Sequence, residues 1–211
     1  MKKPLTRRTL LKGVRELEER DADLARIVST HGPPPLWERE QGFHSLIHII
    51  LEQQVSLASA QAAFTRLEKA INPLSPKKFL GLKDEELKQI GFSRQKTRYG
   101  RELANAILGG SLRLSELDGL DDGEAREQLM NVTGIGPWTA DIYLMMVLGR
   151  PDVWPMGDLA LEVALQKIKG LPGRPTPEEA QKLSDEWQPW RAVAARIVWH
   201  SYLSERKKGV P

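Results

Sequence analysis

The stretch that decides the fold runs from Met130 to Asp158. It reads Met130-Asn131-Val132-Thr133-Gly134-Ile135-Gly136-Pro137-Trp138-Thr139-Ala140, continues as an apolar run through Leu148, and closes with Pro155-Met156-Gly157-Asp158. Residues 121–128 before it carry helical spacing, and so do the apolar residues after it, which makes Gly134-Ile135-Gly136 a tight turn between two helices. Glycines allow left-handed angles and close approach of another backbone. Pro137 falls at the first position of the second helix, where a missing N–H costs nothing. The other N–H groups of that helix start form a ready site for a phosphate. The spacing alone also suits a plain helix corner that only packs. A dinucleotide fingerprint does not fit, because Thr139 stands at the third glycine position and a helix, not a strand, comes first.

Asp158, just ahead of Leu159-Ala160-Leu161, has the pattern of an N-cap. A cap needs no further role. A carboxylate held there is nevertheless rigid, and the helix start favours its negative charge.

Working outward, 211 residues with 40% hydrophobic and 28% charged side chains suit a folded chain with a sizeable core. The absence of cysteine rules out disulfides, thiolate zinc sites, a cysteine nucleophile and a cysteine-held iron–sulfur cluster. A net charge of +3 permits nucleic-acid binding without demanding it. Thr6-Arg7-Arg8-Thr9-Leu10-Leu11-Lys12 resembles a twin-arginine export signal, but charged residues follow where an apolar region is needed. We read it as an ordinary helix. No stretch has the length of a membrane span, and the expected location is cytoplasmic, at the nucleoid if the source is bacterial.

Helical patterns cover 5–29, 45–54, 56–71, two short segments near 77–80 and 84–90, 93–108, the hairpin, 159–169, 177–187 and the last stretch from Pro189 to about Arg206. No alternating strand pattern occurs, so the expected fold is all-α with ten or eleven helices. His44 and His48 share a helix face, as zinc ligands can, but no third ligand presents itself. Arg94, Lys96, Arg98 and Arg101 form a basic cluster that suits a solvated face and phosphate contact equally. Gln53-Gln54 ends an apolar helix; such amides face solvent, or one can enter a base stack. Of the six tryptophans, Trp199 sits about half a turn from the apolar stripe Trp190, Val193, Ala194, Ile197 and Val198, so it is expected to point elsewhere.

These pieces together resemble the helix-hairpin-helix DNA glycosylase superfamily, and within it the 3-methyladenine glycosylase II type. The similarity runs from about Phe43 to Tyr202. It is carried by residues 49–56 (Ile-Ile-Leu-Glu-Gln-Gln-Val-Ser), 91–96 (Gly-Phe-Ser-Arg-Gln-Lys), 132–140 and Gln188-Pro189-Trp190-Arg191, with Asp158 at the expected distance. The resemblance implies two helical subdomains flanking a cleft: residues 44–150 as a central one, and 1–43 with 151–211 as the second. It implies Asp158 as the catalytic carboxylate, and Trp138 and Trp199 as walls of a base pocket. Gln54 would be the wedge filling the gap left by a flipped nucleotide, and Gly134, Ile135, Gly136 and Thr139 would contact DNA. Backbone carbonyls of Met130, Val132 and Ile135 would hold a Na+ or K+ ion; no other cofactor is required.

Bifunctional relatives carry a Schiff-base lysine where this chain has Trp138, so the implied activity is monofunctional. The expected reaction is hydrolysis of the N-glycosidic bond of alkylated purines such as 3-methyladenine and 7-methylguanine in duplex DNA, leaving an abasic site, by a monomer. Two other readings stay open here: a glycosylase for deaminated or oxidised bases, and a non-catalytic protein that binds DNA damage. Two departures bear on substrate range. The chain has no room for the β-rich N-terminal domain of some members, and Leu159 stands where some relatives have an aromatic residue.

Overall fold

In the structure, a computed structural model that describes residues 4–207, the N-terminal stretch expected as one helix is two, α1 (Arg7–Arg20) and α2 (Ala22–His31). Asp21 separates them. Its backbone is extended (φ −136°, ψ 108°) and its carboxylate accepts the N–H groups of Asp23 and Leu24, capping α2. A one-residue break hardly disturbs the apolar spacing, so the pattern reads straight through it.

The chain continues with α3 (Phe43–Glu52), α4 (Leu57–Ala70), α5 (Pro76–Leu80), α6 (Asp84–Ile90) and α7 (Arg94–Leu108). After a 3-10 turn at Leu114–Gly119 come α8 (Asp122–Met130), α9 (Pro137–Met146), α10 (Leu159–Ile168) and α11 (Pro177–Ser184). A second 3-10 turn, Asp185–Trp187, precedes α12 (Arg191–Lys207). No strand occurs among the described residues, and the fold is all-α. Ser56, Ser93, Asp121 and Thr176 each accept the N–H of the third residue on, which is why α4, α7, α8 and α11 start where they do.

The chain forms two compact units, one holding Arg39–Leu148 and the other the described residues up to Glu38 and from Gly149 onward. In the first, α3 is the central helix. Leu46, Ile47, Ile49 and Ile50 are fully buried, and the helix packs on α4, α7 and α9. Arg39 grips Glu52 with two nitrogens at 3.1 and 2.7 Å. His48 stacks on Phe64 at 4.2 Å and lies 3.7 Å from Glu52, which accounts for it as a packing residue. Burial lowers its imidazole pKa, Glu52 opposing the shift and Arg39 adding to it.

In the second unit α12 packs on α1, α2 and α10. Ala192 through Trp199 are all buried, so this helix has no exposed side over that span. Trp199 therefore belongs to a helix buried all round and does not stand apart from a single stripe. Arg191 closes a fork on Asp152, with Nε 3.0 Å from Oδ1 and Nη2 3.2 Å from Oδ2. Trp190 Nε1 donates to Glu16 at 2.6 Å. The Trp190-Arg191 pair thus ties the start of α12 both to α1 and to the segment leading to Asp158.

Candidate functional site

The hairpin joins α8 to α9 in the first unit. Val132 N–H donates to Leu129 O at 3.2 Å and Ile135 N–H to Val132 O at 3.0 Å, and the side chains of Val132 and Ile135 turn into the core. Its two glycines do different work. Gly134 has φ +98°, and a Cβ there would lie 2.2–2.6 Å from Tyr99 ring-side atoms, so no other residue fits. Gly136 has φ −92° and ψ −178°, angles open to any residue, and a Cβ there would meet nothing within 4 Å. No side chain caps α9 at Gly136. Helix geometry leaves first-turn N–H groups without intrahelical acceptors, and Pro137 has none to leave. An open glycine at an uncapped helix start admits a phosphate.

Two of the expected DNA contacts, Thr139 and Ile135, have buried side chains. Thr139 is 2% exposed, and its hydroxyl accepts Gln53 Nε2 at 2.9 Å, so its side chain is an internal tie. Ile135 is buried and its N–H donates to Val132 O inside the turn, so its side chain anchors the core. Position within the motif does not tell which way each side chain faces.

Gln53 and Gln54 separate sharply. Gln53 Nε2 also donates to Gly134 O at 3.0 Å, joining the end of α3 to the hairpin. Gln54 is exposed and left-handed (φ +56°), a conformation that costs a non-glycine residue on the order of 1 kcal/mol and is held by the surroundings. Lys96 Nζ donates to Leu51 O at 2.6 Å from α7. Burial lowers the pKa of that amine. The basic cluster is accordingly divided: Arg101 binds Leu82 O and Asp84, Lys96 props α3, and Arg94 and Arg98 are exposed. Trp138, in the first turn of α9, is half-buried.

In the second unit, Pro155-Met156-Gly157-Asp158 is a turn closed by Asp158 N–H on Pro155 O at 3.2 Å, with Gly157 at φ +79°. It delivers Asp158 to the start of α10. Asp158 is buried at 9% exposure. Its Oδ1 accepts Leu161 N–H at 2.9 Å and Trp199 Nε1 at 3.1 Å. The structure thus brings Asp158 and Trp199 into direct contact. Trp199, 8% exposed, directs its polar edge at the carboxylate.

One turn further along α10 lies Glu162, at 6% exposure, which motif reading passed over. Burial raises its pKa; Arg174, with Nε 3.7 Å from Oε2, opposes the shift, and Asp158 and Glu178 add to it. Its i+4 spacing from Asp158 was the available signal.

With this geometry in hand, comparison with known proteins gives a consistent answer. The family model described as HhH-GPD superfamily base excision DNA repair protein matches residues 47–189. The Bacillus subtilis protein YfjP is 28% identical over 84% of this chain, which spans 65% of its length. DNA-3-methyladenine glycosylase 1 of Schizosaccharomyces pombe is 29% identical over 92% of this chain and 87% of its own. The solved structure of the S. pombe 3-methyladenine DNA glycosylase Mag1 in complex with abasic DNA superposes with a TM-score of 0.83 at 27% identity, covering 92% of this chain and 97% of that one. The family match spans most of the sequence and contains the hairpin, the Gln53-Gln54 junction and Asp158 alike, and the chain belongs to the HhH-GPD superfamily of base excision DNA repair proteins.

Proposed function

We propose that this chain is a monofunctional DNA-3-methyladenine glycosylase that hydrolyses the N-glycosidic bond of alkylated purines in duplex DNA and leaves an abasic site. The observation that carries the reading is Asp158: a buried carboxylate at a helix start, with two N–H donors on one oxygen, in a chain similar to named 3-methyladenine glycosylases. The bond lies inside the duplex, so the nucleotide is extruded first. The exposed Gln54 enters the gap while the uncapped start of α9 at Gly136 takes a backbone phosphate.

Cleavage develops oxocarbenium character on the sugar. A carboxylate fixed in advance stabilises that charge or orients the attacking water without reorganising. Asp158 does so, and Trp199 Nε1 holds its orientation. Alkylation at a ring nitrogen makes the base cationic, hence a good leaving group that needs little general acid. Its charge favours an aromatic face, about 0.5–2 kcal/mol per contact, which Trp138 supplies. With no amine at position 138, no Schiff base forms there and the strand stays intact. Carbonyls of Met130, Val132 and Ile135 would hold a monovalent cation beside the grip. The Val132 carbonyl already accepts Ile135 N–H and keeps its second lone pair for an ion.

The test is release of free 3-methyladenine or 7-methylguanine from methylated DNA by wild type and Asp158→Asn. Asparagine caps a helix as well as aspartate, so the variant folds. Its rate should fall on the order of 100-fold or more, the scale of losing one preorganised electrostatic stabiliser. Excision at the wild-type rate would remove Asp158 from the chemistry, and release of deaminated or oxidised bases instead would reassign the substrate.

A further inference from the structure

We propose that Gln53 is a positioning residue that sets the offset between the stack-entering Gln54 and the phosphate grip at Gly134–Gly136, and so controls nucleotide extrusion. This rests on the glycosylase reading above, and in particular on Gln54 as the wedge.

The carboxamide nitrogen of Gln53 has two protons and two acceptors, Gly134 O at 3.0 Å and Thr139 Oγ1 at 2.9 Å. One acceptor is in the hairpin turn and the other in the first turn of α9. A single side chain therefore spans the grip and is bonded through the backbone to Gln54, the next residue. The rest of the neighbourhood is arranged to keep that link stiff. Lys96 Nζ holds Leu51 O at 2.6 Å on one side of Gln53, and the Gln53 N–H reaches back to Ile50 O at 3.3 Å. On the hairpin side the Tyr99 ring lies against Gly134, and both Lys96 and Tyr99 come from α7. Thr139, at 2% exposure, cannot re-aim its hydroxyl toward solvent.

The requirement for such a link is geometric. A wedge must enter the stack at a fixed offset from the phosphate being gripped, because the DNA backbone repeats at a fixed interval. A misplacement of about 1 Å in a positioned group can cost on the order of 100-fold in rate. The left-handed backbone of Gln54 (φ +56°) is also costly unless its neighbours hold it. Helices α3 and α9 are already joined by a buried core, so the Gln53 bonds are not what closes the fold. They align two surface groups on it.

The experiment uses the full chain and duplexes carrying 2-aminopurine beside an alkylated purine, so that extrusion is read as a rise in fluorescence and chemistry as single-turnover base release. Gln53→Leu keeps the bulk and deletes both donors. It should bind an abasic duplex within about twofold of wild type, with the same salt slope, because the grip is intact. Extrusion and base release should both slow by about 10–100-fold. In the double variant with Gln54→Ala the two losses should not multiply, since one residue acts through the other.

Losses that multiply, or extrusion by Gln53→Leu at the wild-type rate, would overturn the positioning role. If Gln53→Leu does not fold, Thr139→Val removes one of the two acceptors and should show a smaller loss in the same direction; unchanged extrusion there would equally sink the idea. A wild type that extrudes the nucleotide but releases no base overturns the glycosylase reading and leaves the role of Gln53 standing.

Discussion

Asp158 Oδ1 accepts two N–H groups of different origin, one from its own helix and one from Trp199, forty-one residues along the chain. The first bond caps α10; the second aims the carboxylate. Trp199→Phe keeps an aromatic ring at the site but removes the indole N–H, and with it the second bond, together with part of the buried ring volume. Base release should then fall about tenfold, near the worth of one charge-assisted hydrogen bond, well short of the loss for Asp158→Asn. Single-turnover rates on methylated DNA measure both. Glu162 calls for a pH experiment. Its pKa lies above the ordinary 4.5, so the folded state holds that proton more tightly than the unfolded chain. Stability from this site is therefore greatest at low pH and is lost as pH rises through the elevated value. Glu162→Gln should melt higher than wild type at neutral and alkaline pH, with the advantage shrinking as pH falls toward 4.5; thermal melts across pH check the sign.

Within the hairpin element, two glycines only one residue apart differ: Gly134 is required by packing, and Gly136 is open. Gly134→Ala would place a methyl against Tyr99 in a left-handed backbone. Strain and overpacking together should cost about 2–4 kcal/mol of stability, measured by denaturant unfolding. Gly136→Ala meets nothing within 4 Å at an ordinary φ, so folding stability should change by no more than about 1 kcal/mol, the gain from a stiffer unfolded chain being offset by alanine's poorer fit at a helix N-cap. On the proposed phosphate grip the added methyl would stand in the approach path, and affinity for abasic DNA should drop by about tenfold, the equivalent of losing one charge-assisted hydrogen bond. A Gly136→Ala variant that binds normally would place the phosphate elsewhere on the hairpin.

At the scale of the whole molecule, the described residues up to Glu38 and from Gly149 onward form one unit while Arg39–Leu148 forms the other. The second unit has long-range polar ties beside its apolar core. Trp187 Nε1 and Lys169 Nζ both donate to Asp21 Oδ2 at 2.8 Å. Burial pushes the Asp21 carboxyl up, but these bonds outweigh it and hold it below its ordinary value. Arg191 and Asp152 form the second such tie, and Arg191→Met would leave the Asp152 carboxylate buried without its fork. That loss should cost about 3 kcal/mol, visible as a lower melting temperature. The hairpin lies in the other unit, so DNA binding by it should be little changed in the surviving folded protein.

The all-α fold, the capped helix starts, the hairpin turn and the Asp158 cap were legible in the residues themselves, because local signals write them: Ser, Thr and Asp before helices, Gly and Pro at turns, apolar spacing near 3.6. Gly134 and Gly136 looked alike in sequence and differ in structure, since only packing reveals that Tyr99 fills the space beside one of them. Gln53 and Gln54 were likewise equivalent until the backbone turned left-handed between helices and sent one inward and the other out. Thr139 lay in a DNA-binding motif, yet its side chain faces Gln53. Trp199 could be placed by periodicity only on a helix of presumed single-sided burial; tertiary packing buried that helix all round and gave its indole a carboxylate to hold. Short-range chemistry determines elements and their ends, whereas the direction of a side chain at a junction depends on partners distant in sequence, which no local pattern encodes.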